Sequence, residues 1–430
     1  MKISVVGVGY VGLVSAAGLA HVGHSVVCID TDNERVDLVN QGISPLCEAG
    51  LDDLLTHCVV SEGNLRASTE YKEVLGTDIS LICVGTPSNS DGSINLSYVR
   101  EAAKSIGSVL KVKDGYHLVV IRSTVIPGTT RDVVIPLLEK YSGKKVGEDI
   151  GVAFNPEFLQ EGKAVQAFFN PDRIIVGELD SKAGDILAEL YQDMAAPIVR
   201  TDVTTAEMIK YASNAFLATK VSFINEIANI CHKLGVDVYD VVKGISFDYR
   251  IGDRFLNAGI GFGGSCLPKD LRSLVHASSN KLGYPAPLLR AVLDVNDAQA
   301  LKIVEIAERR LGDLDGKEVT VLGLAFKPNT GDVREAPALR VIRVLMEKGA
   351  LVTAYDPEAM ENARAVLPVG VRYCDSAAEA IGDSDCVLIV TEWDEFRDEN
   401  LYKGKTVIDG RRALDPRKAS ALCDYQGVCW

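Results

Sequence analysis

The turn Gly7-Val8-Gly9-Tyr10-Val11-Gly12 constrains the fold more than any other stretch of this chain. It closes the apolar run KISVV, opens a helical pattern, and is followed by Asp30 at the end of the next apolar run. Glycines at this spacing let the backbone turn sharply and approach a pyrophosphate, and the N-terminus of the helix behind them stabilises the ligand's charge. An acid one strand further on takes ribose hydroxyls. A tight strand-helix turn with no ligand is the competing account, but it explains the glycines and not the acid. Asp30 favours NAD over NADP because a carboxylate repels a 2′-phosphate, and Arg35 beside it tempers that preference.

The same alternation continues through HSVVCIDTD, ISLICVGTP, HLVVIRSTV, GVAFNPEF and DRIIVGE. Continuous apolar runs separated by helical patterns read as a parallel sheet covered on both faces, so residues 1–200 are expected to form a doubly wound, Rossmann-like α/β domain. Its loops at Gly7, Thr86, Thr124 and Glu157 then open on the carboxyl edge, where such folds bind ligands. From Thr204 the pattern changes to TTAEMIKYASNAFLATKVSFINEIANICHKLG, with a capping box of Thr204 and Glu207 and helical spacing as far as Gly235. Such a helix runs to roughly 45 Å. Apolar residues wrap so much of its circumference that another domain or subunit must cover it. Residues 201–300 read as a helical middle domain built on this long central helix. After Gly316 the alternation returns in EVTVLGLAFKP, ALVTAYDP, CVLIVTE and KTVIDGRR, which gives a second Rossmann-like domain at 301–430. Its first turn, Gly323-Leu324-Ala325-Phe326-Lys327, lacks the triple glycine, so the two α/β domains are expected to bind different ligands.

With 430 residues, 47% hydrophobic and 24% charged, the chain has the composition of a globular protein of two or three domains. A net charge of −14 argues against nucleic acid and against an anionic membrane surface, both of which need a basic face. Glu207, Lys210, Lys220, Glu226 and Lys233 exclude the long helix as a membrane span, and MKISVVGVGY lacks the length and flanks of a signal peptide. A cytoplasmic protein is expected. The ten cysteines (28, 47, 58, 83, 231, 266, 374, 386, 423 and 429) include no Cys-x-x-Cys pair, which takes most of the weight from disulfide and zinc readings. No metal is expected. Cys28, Cys83 and Cys386 lie in β-branched runs, as small buried hydrophobes do. The six histidines share no motif, so histidine-led catalysis is not expected.

One cysteine differs from the rest. Cys266 follows Gly263-Gly264 and precedes Pro268, Lys269 and Asp270. Pro and Asp mark a helix start, and a helix N-terminus with a lysine lowers a thiol's pKa. Paired glycines leave space for a ligand against the backbone. A buried cysteine at a tight turn is the plain alternative, and the flanking chemistry favours a nucleophile. Lys210 and Asn214 share one face of the long helix. An interdomain ion pair and hydrogen bond account for them as well as contacts to a substrate oxygen do. Glu157 and Glu161 read most simply as solvated acids at a helix N-terminus. Lys327, Arg411 and Arg412 fit either a diphosphate site or surface charge.

Taken in order, GVGYVG, CVGTPS, RSTVIPGTT, NPEFLQEG, NPDRIIVG, KYASNAFLATK, FGGSCLPKD, LAFKPNTGDVRE and IDGRR resemble the UDP-glucose/GDP-mannose dehydrogenase family over essentially the full length. The resemblance implies oxidation of a sugar nucleotide's primary alcohol at C6 to a carboxylate, with two NAD reduced per turnover. It makes Cys266 the nucleophile that holds the intermediate aldehyde as a thiohemiacetal and then as a thioester. By the same similarity Lys210 and Asn214 stabilise oxyanions, Asp270 and Thr124 position or activate water, and Glu157 meets the substrate or that water. Gly7, Gly9, Tyr10, Val11, Gly12, Asp30, Arg35, Thr86, Thr124, Glu161, Cys266, Lys269 and Arg334 match cofactor-side positions. Glu157, Phe158, Leu159, Lys210, Asn214, Phe255, Leu256, Asn257, Ala258, Gly259, Gly263, Lys327, Arg411 and Arg412 match the sugar-nucleotide side. Arg250 matches a substrate-side residue that the family donates across a dimer interface, so a homodimer or higher homo-oligomer through the long helix is implied.

Glu48-Ala49-Gly50 departs from the family's usual Glu-Pro-Gly, which bears only on that loop's rigidity. NPDRIIVG and YRIGDRFLNAG are similar to UDP-glucose members, whereas IRSTVIPGTT, SGKK and Cys429-Trp430 are similar to GDP-mannose members. Substrate-contacting segments outweigh a tail, so UDP-glucose is the expected substrate. Two other readings stay open. A two-electron hydroxyacid dehydrogenase shares the glycine turn and the lysine-asparagine helix but needs no thiol, and a redox-sensing nucleotide-binding module needs no turnover.

Overall fold

The computed structural model describes residues 1–430 and divides into two units, Met1–Ser213 and Asn214–Trp430. The first unit holds one eight-stranded sheet: β1 (Lys2–Val6), β2 (Ser25–Ile29), β3 (Leu65–Ser68), β4 (Ile79–Ile82), β5 (His117–Ile121), β6 (Ile150–Phe154), β7 (Ile174–Glu178) and β8 (Ile198–Asp202). Their order is β3-β2-β1-β4-β5-β6-β7-β8, a doubly wound sheet with two added strands. Alternate residues of one strand enter opposite cores. Leu118 and Val120 of β5 join the core that includes Leu13, Val14 and Ala17 of the helix Tyr10–His21, whereas Val119 and Ile121 join the core that includes Ile106 and Leu138. Coverage on both faces is what the continuous apolar runs require.

The sheet is not parallel throughout, as the sequence pattern had implied: β6 and β7 pair antiparallel through Ala153–Glu178 and Phe154–Gly177. The link between them carries one short helix, Ala164–Phe169, and no helical crossover of the kind a parallel return uses. Its Phe168 ring fills the place of a side chain at Gly18, where a Cβ would lie 2.2 Å from Phe168 Cε1.

The long helix runs Val203–Leu234, 32 residues, and the division between the units falls inside it. Gly235, at φ +69°, ends it as expected. Its start differs from the expected capping box. Asp202 is the cap, accepting the Thr204 and Thr205 N–H groups at 3.0 and 3.1 Å. Glu207 is fully buried instead, accepting the Gly128 and Thr130 N–H groups at 2.6 and 2.8 Å and the Thr130 hydroxyl at 2.6 Å. The expectation that the helix's apolar circumference would be covered is met in part: Ala218, Ile224 and Ala228 are buried, but Met208, Phe216, Phe223 and Ile230 are exposed. In the second unit the helices Val238–Ser246, Leu267–Leu282, Pro287–Gln299 and Lys302–Leu311 follow.

A second sheet closes the second unit: β9 (Glu318–Leu322), β10 (Leu351–Tyr355), β11 (Arg372–Tyr373), β12 (Cys386–Ile389), β13 (Thr406–Asp409) and β14 (Asp424–Gly427), ordered β11-β10-β9-β12-β13-β14 and parallel throughout. The two sheets repeat one local device. Gly7 and Gly323 have φ +99° and +93°. Asp30 after β2 accepts the Val8 N–H at 2.6 Å, and Asp356 after β10 accepts the Leu324 and Ala325 N–H groups at 2.7 and 3.0 Å. The architecture is therefore two Rossmann-like α/β sheets with a helical middle segment. No helix is long and apolar enough to cross a membrane.

Candidate active site

Each glycine of the first turn has its own physical reason. Gly7 is in the left-handed region, and a Cβ there would meet the Cys83 backbone at 3.0 Å. A Cβ at Gly12 would lie 1.8 Å from the Gly7 carbonyl oxygen. At Gly9 a Cβ would meet nothing within 4 Å. Packing and backbone geometry explain Gly7 and Gly12 but leave Gly9, the cap of the helix Tyr10–His21, facing open space. Backbone approach of a pyrophosphate to that helix N-terminus explains it, and the turn fits NAD. Gly12→Ala is expected to cost about 1–3 kcal/mol of stability. Gly9→Ala should melt like the parent while binding NAD roughly tenfold more weakly or worse; melting curves beside calorimetric titration with NAD separate the two.

Around this turn, Thr86 Oγ1 donates to the Thr124 carbonyl at 3.0 Å, joining the loops after β4 and β5. Arg35 pairs with Asp32 at 3.4 Å in the first turn of the helix Asn33–Asn40. Val11 is half-buried in the helix behind the glycines. Tyr10 donates its hydroxyl to Glu48, whose carboxylate also accepts the Gly162 and Ala164 N–H groups at 2.6 and 2.7 Å. Burial first, and then the hydrogen bond to Glu48, push the Tyr10 phenol's pKa up. Glu48 thus ties the glycine-turn helix to the loop that carries Glu161. Sequence reasoning missed this role, for which the only signal was an acid in a Glu-Ala-Gly loop.

Glu157 is not a solvated acid. It is 7% exposed, three residues past β6, and its Oε1 accepts from Lys210 Nζ at 3.0 Å. Lys210 Nζ also donates to the Glu157 carbonyl at 2.7 Å, and Glu157 Oε2 accepts the Leu159 N–H at 2.7 Å. Burial opposes ionisation of Glu157, but the Lys210 charge and hydrogen bond, the Leu159 N–H and the Arg122 charge outweigh it and hold the carboxyl below its ordinary range. Phe158, half-buried, takes the Arg173 guanidinium over its ring at 3.9 Å.

In the second unit Cys266 caps the helix Leu267–Leu282, with Pro268 and Asp270 in its first turn. The thiol is exposed, so the buried-turn alternative fails, and its sulfur lies 3.6 Å from Ser265 Oγ. Buried Asp270 is held on both oxygens, by Lys269 Nζ at 2.6 Å and by Asn214 Nδ2 at 2.6 Å. A cysteine, a lysine and an acid thus share one helix turn, and the acid is fixed by the asparagine. The glycines before Cys266 serve another purpose than the one read from sequence. A Cβ at Gly263 would lie 2.4 Å from the Glu335 carbonyl and one at Gly264 2.7 Å from the Phe326 ring, so the chain itself fills that space. By contrast, burial pushes the thiols of Cys28, Cys83 and Cys386 up to about 12, which keeps them inert.

The cations of the second sheet are held rather than loose on the surface. Arg411 donates to the Val390 and Gly261 carbonyls at 2.9 and 2.8 Å, and burial lowers its pKa. Arg412, at φ +53°, grips both oxygens of Asp237 at 2.8 and 2.9 Å and lies 4.0 Å over the Tyr239 ring. Lys327 lies 5.4 Å over the Phe326 ring. Arg411 thereby braces the strap 255–263. Within the strap Leu256 and Ala258 are buried, Phe255 and Asn257 are exposed, and a Cβ at Gly259 would lie 2.5 Å from the Gly410 carbonyl. Phe255 itself sits at φ +62°. Arg334 pairs with Asp332 at 2.6 Å while its carbonyl accepts the Gly264 N–H at 3.0 Å. Arg250 is exposed and paired with Asp248 at 2.5 Å.

An open glycine turn with an acid at the end of the second strand marks a dinucleotide-binding α/β domain. The models of the UDP-glucose/GDP-mannose dehydrogenase family narrow this, matching residues 1–195 as its NAD binding domain, 204–298 as its central domain and 320–416 as its UDP binding domain. The chain belongs to that family and is an NAD-dependent sugar-nucleotide 6-dehydrogenase. It is 45% identical to the UDP-glucose 6-dehydrogenase AglM of Haloferax volcanii, covering 100% of both chains. It is 39% identical to the GDP-mannose 6-dehydrogenase of Pseudomonas putida, again over 100% of both. A solved UDP-glucose dehydrogenase from Pyrobaculum islandicum superposes with a TM-score of 0.95 at 42% identity, covering 100% of this chain and 98% of that one.

Proposed function

We propose that the chain oxidises UDP-glucose to UDP-glucuronate through covalent intermediates on Cys266, within a three-part division of 1–200, 201–300 and 301–430. The observation that carries the reading is the exposed Cys266 thiol at a helix N-terminus, one turn from the Lys269–Asp270 pair. NAD, when bound at the glycine turn, supplies the hydride acceptor. The alcohol carbon loses a hydride and its hydroxyl a proton, giving an aldehyde. The Cys266 thiolate adds to that aldehyde, with the new alkoxide stabilised by Lys210 and Asn214. Loss of a second hydride from the thiohemiacetal carbon leaves a thioester. Water, directed by Asp270, Thr124 or Glu157, breaks the C–S bond, releasing the carboxylate and the thiol. Four electrons leave the sugar.

UDP-glucose is favoured over GDP-mannose because the UDP-glucose relatives stand at 43–45% identity and the GDP-mannose ones at 39–40%. A panel of sugar nucleotides with NADH counted per sugar tests this: about two NADH per UDP-glucose are expected, and one or none overturns the reading. The same proposal makes the protein a homodimer. Exposed Phe216, Phe223 and Ile230 leave an apolar face on the long helix, and Arg250 directly follows a segment that exposes Phe247 and Tyr249. Arg250→Ala should weaken substrate binding with helix content unchanged; an active monomer in sedimentation overturns the cross-subunit role.

A further inference from the structure

Arg122, immediately past β5, is 6% exposed, and its guanidinium is bound to neutral oxygens. Nε donates to Ser15 Oγ at 3.0 Å, and Nη1 donates to Tyr191 OH at 3.0 Å and to Asn155 Oδ1. Tyr191 donates to the same Asn155 oxygen at 2.6 Å, and Asn155 Nδ2 donates to the Ile175 carbonyl at 2.8 Å. A charge taken out of water with only neutral contacts is costly unless an opposite charge lies close. Two acids, Glu157 and Asp172, line the same cavity of about 70 Å³ as Arg122, Asn155 and Tyr191, and of the two it is the buried Glu157 on which the Arg122 charge acts.

We propose that Arg122 is a positioning residue of the oxidation site, whose buried charge keeps Glu157 anionic while Lys210 shares its ammonium between Glu157 and the substrate oxygen. The proposal rests on the reading of Glu157 and Lys210 as substrate-side groups. An ammonium has three donors, and two of the Lys210 contacts already go to Glu157. As negative charge develops on the substrate oxygen, it draws on the same ammonium and weakens the hold of Lys210 on Glu157. Burial then favours a protonated Glu157, which no longer orients Lys210. The Arg122 charge, committed to no acid by direct contact, opposes that protonation and is among the influences that lower the Glu157 pKa, though a smaller one than Lys210. The other titratable groups facing Glu157 do not substitute for it. The Cys83 thiol past β4 is held neutral by burial, burial also raises the pKa of the Tyr191 phenol, and Asp172 and Arg173 before β7 are an acid and a base side by side, with Arg173 stacked on Phe158.

The test compares Arg122→Gln with Arg122→Lys in the pH profile of kcat, which reads ionisations in the bound complex, for the full chain with saturating NAD and UDP-glucose. The acid limb reports protonation of Glu157. With the glutamine variant it should move up by about one pH unit, a loss of roughly tenfold below the limb. With the lysine variant, which keeps the charge and loses the guanidinium geometry, it should stay at the wild-type position. A limb that moves equally in both variants, or in neither, overturns the proposal, because a merely structural role lowers Tm without sorting the variants by charge. If Arg122→Gln fails to fold, Arg122→Gln combined with Glu157→Gln should fold, since both buried charges are gone; a double variant no more stable than the single one overturns the coupling. Glu157→Gln alone keeps the two levels apart. If it retains the wild-type acid limb, the reading of Glu157 fails, and the proposal fails with it for that reason rather than for want of an Arg122 effect.

Discussion

Cys266→Ala is expected to abolish acid formation, by on the order of 10⁴-fold or more, in a protein that melts like the parent. The size follows from chemistry: an aldehyde carries no carbon able to give up a second hydride until a nucleophile adds to it, and no neighbouring group replaces the thiol. The stability expectation follows from position. The side chain is exposed and makes no capping hydrogen bond to the helix Leu267–Leu282, so little packing is lost. Surface changes of this kind stay within about 0.5 kcal/mol. Cysteine is a poor choice for an N-cap, where serine, threonine, aspartate and asparagine are preferred. Cys266→Ser should therefore be at least as stable as the parent and still fail to make acid, since a hydroxyl in place of the thiol is a weak nucleophile and its ester resists water. A helix start that gives up a better cap for a sulfur is the pattern of a site selected for reaction rather than for stability. Product analysis with NADH counted per sugar decides it, and acid formation undiminished in either variant removes Cys266 from the mechanism.

The sequence made the two α/β sheets legible through their central strands, because β1, β4, β5, β9 and β12 are buried on both faces and so read as apolar runs, interrupted inside only by the small buried hydroxyls of Ser4, Ser80 and Thr320. Four strands were not legible for the opposite reason. β3 (LRAS), β8 (IVRTD), β11 (RY) and β14 (DYQG) lie at sheet edges, where exposed and polar residues interrupt the run. Short-range chemistry was also readable: the glycine turn, the helix start at Cys266 and the Gly235 stop each depend on residues a few positions apart. Partnerships between distant residues were not. Glu157 and Lys210 are 53 residues apart, Arg411 and Gly261 150, and Arg412 and Asp237 175. No local pattern distinguishes a solvated acid from one that the fold will bury against a lysine. The same blindness explains Glu207. Its spacing from Thr204 fits a capping box, but the Gly128–Thr130 turn, nearly eighty residues earlier, takes its carboxylate.

Lys210→Met should have the largest effect on stability, because it removes the direct counter-charge of a buried carboxylate while keeping the side chain's bulk. The pair is 5% and 7% exposed, so water does little to screen it. Breaking a buried pair from one side costs about 3–5 kcal/mol, most of it the burden of the charge left behind. The pH dependence identifies the cause. In the parent, the Glu157 carboxyl is held below its ordinary range, so its contribution is present above the unfolded value near 4.5 and is lost as pH falls through the lower folded value. Without Lys210, burial is opposed only by the Leu159 N–H and the smaller Arg122 influence, and the folded value should rise above the unfolded one. The sign then reverses: the Met variant should gain stability relative to the parent as pH falls from neutral toward 5. Urea unfolding of both proteins across that range measures the difference. A constant penalty at every pH would mean that lost packing, and not an uncompensated Glu157, is what the substitution exposes. The same variant should also lose on the order of 10²–10³-fold in kcat, as expected when a preorganised donor to a developing oxyanion is removed. That loss should persist at low pH, where the stability difference narrows, because protonating Glu157 relieves the buried charge without supplying the missing ammonium.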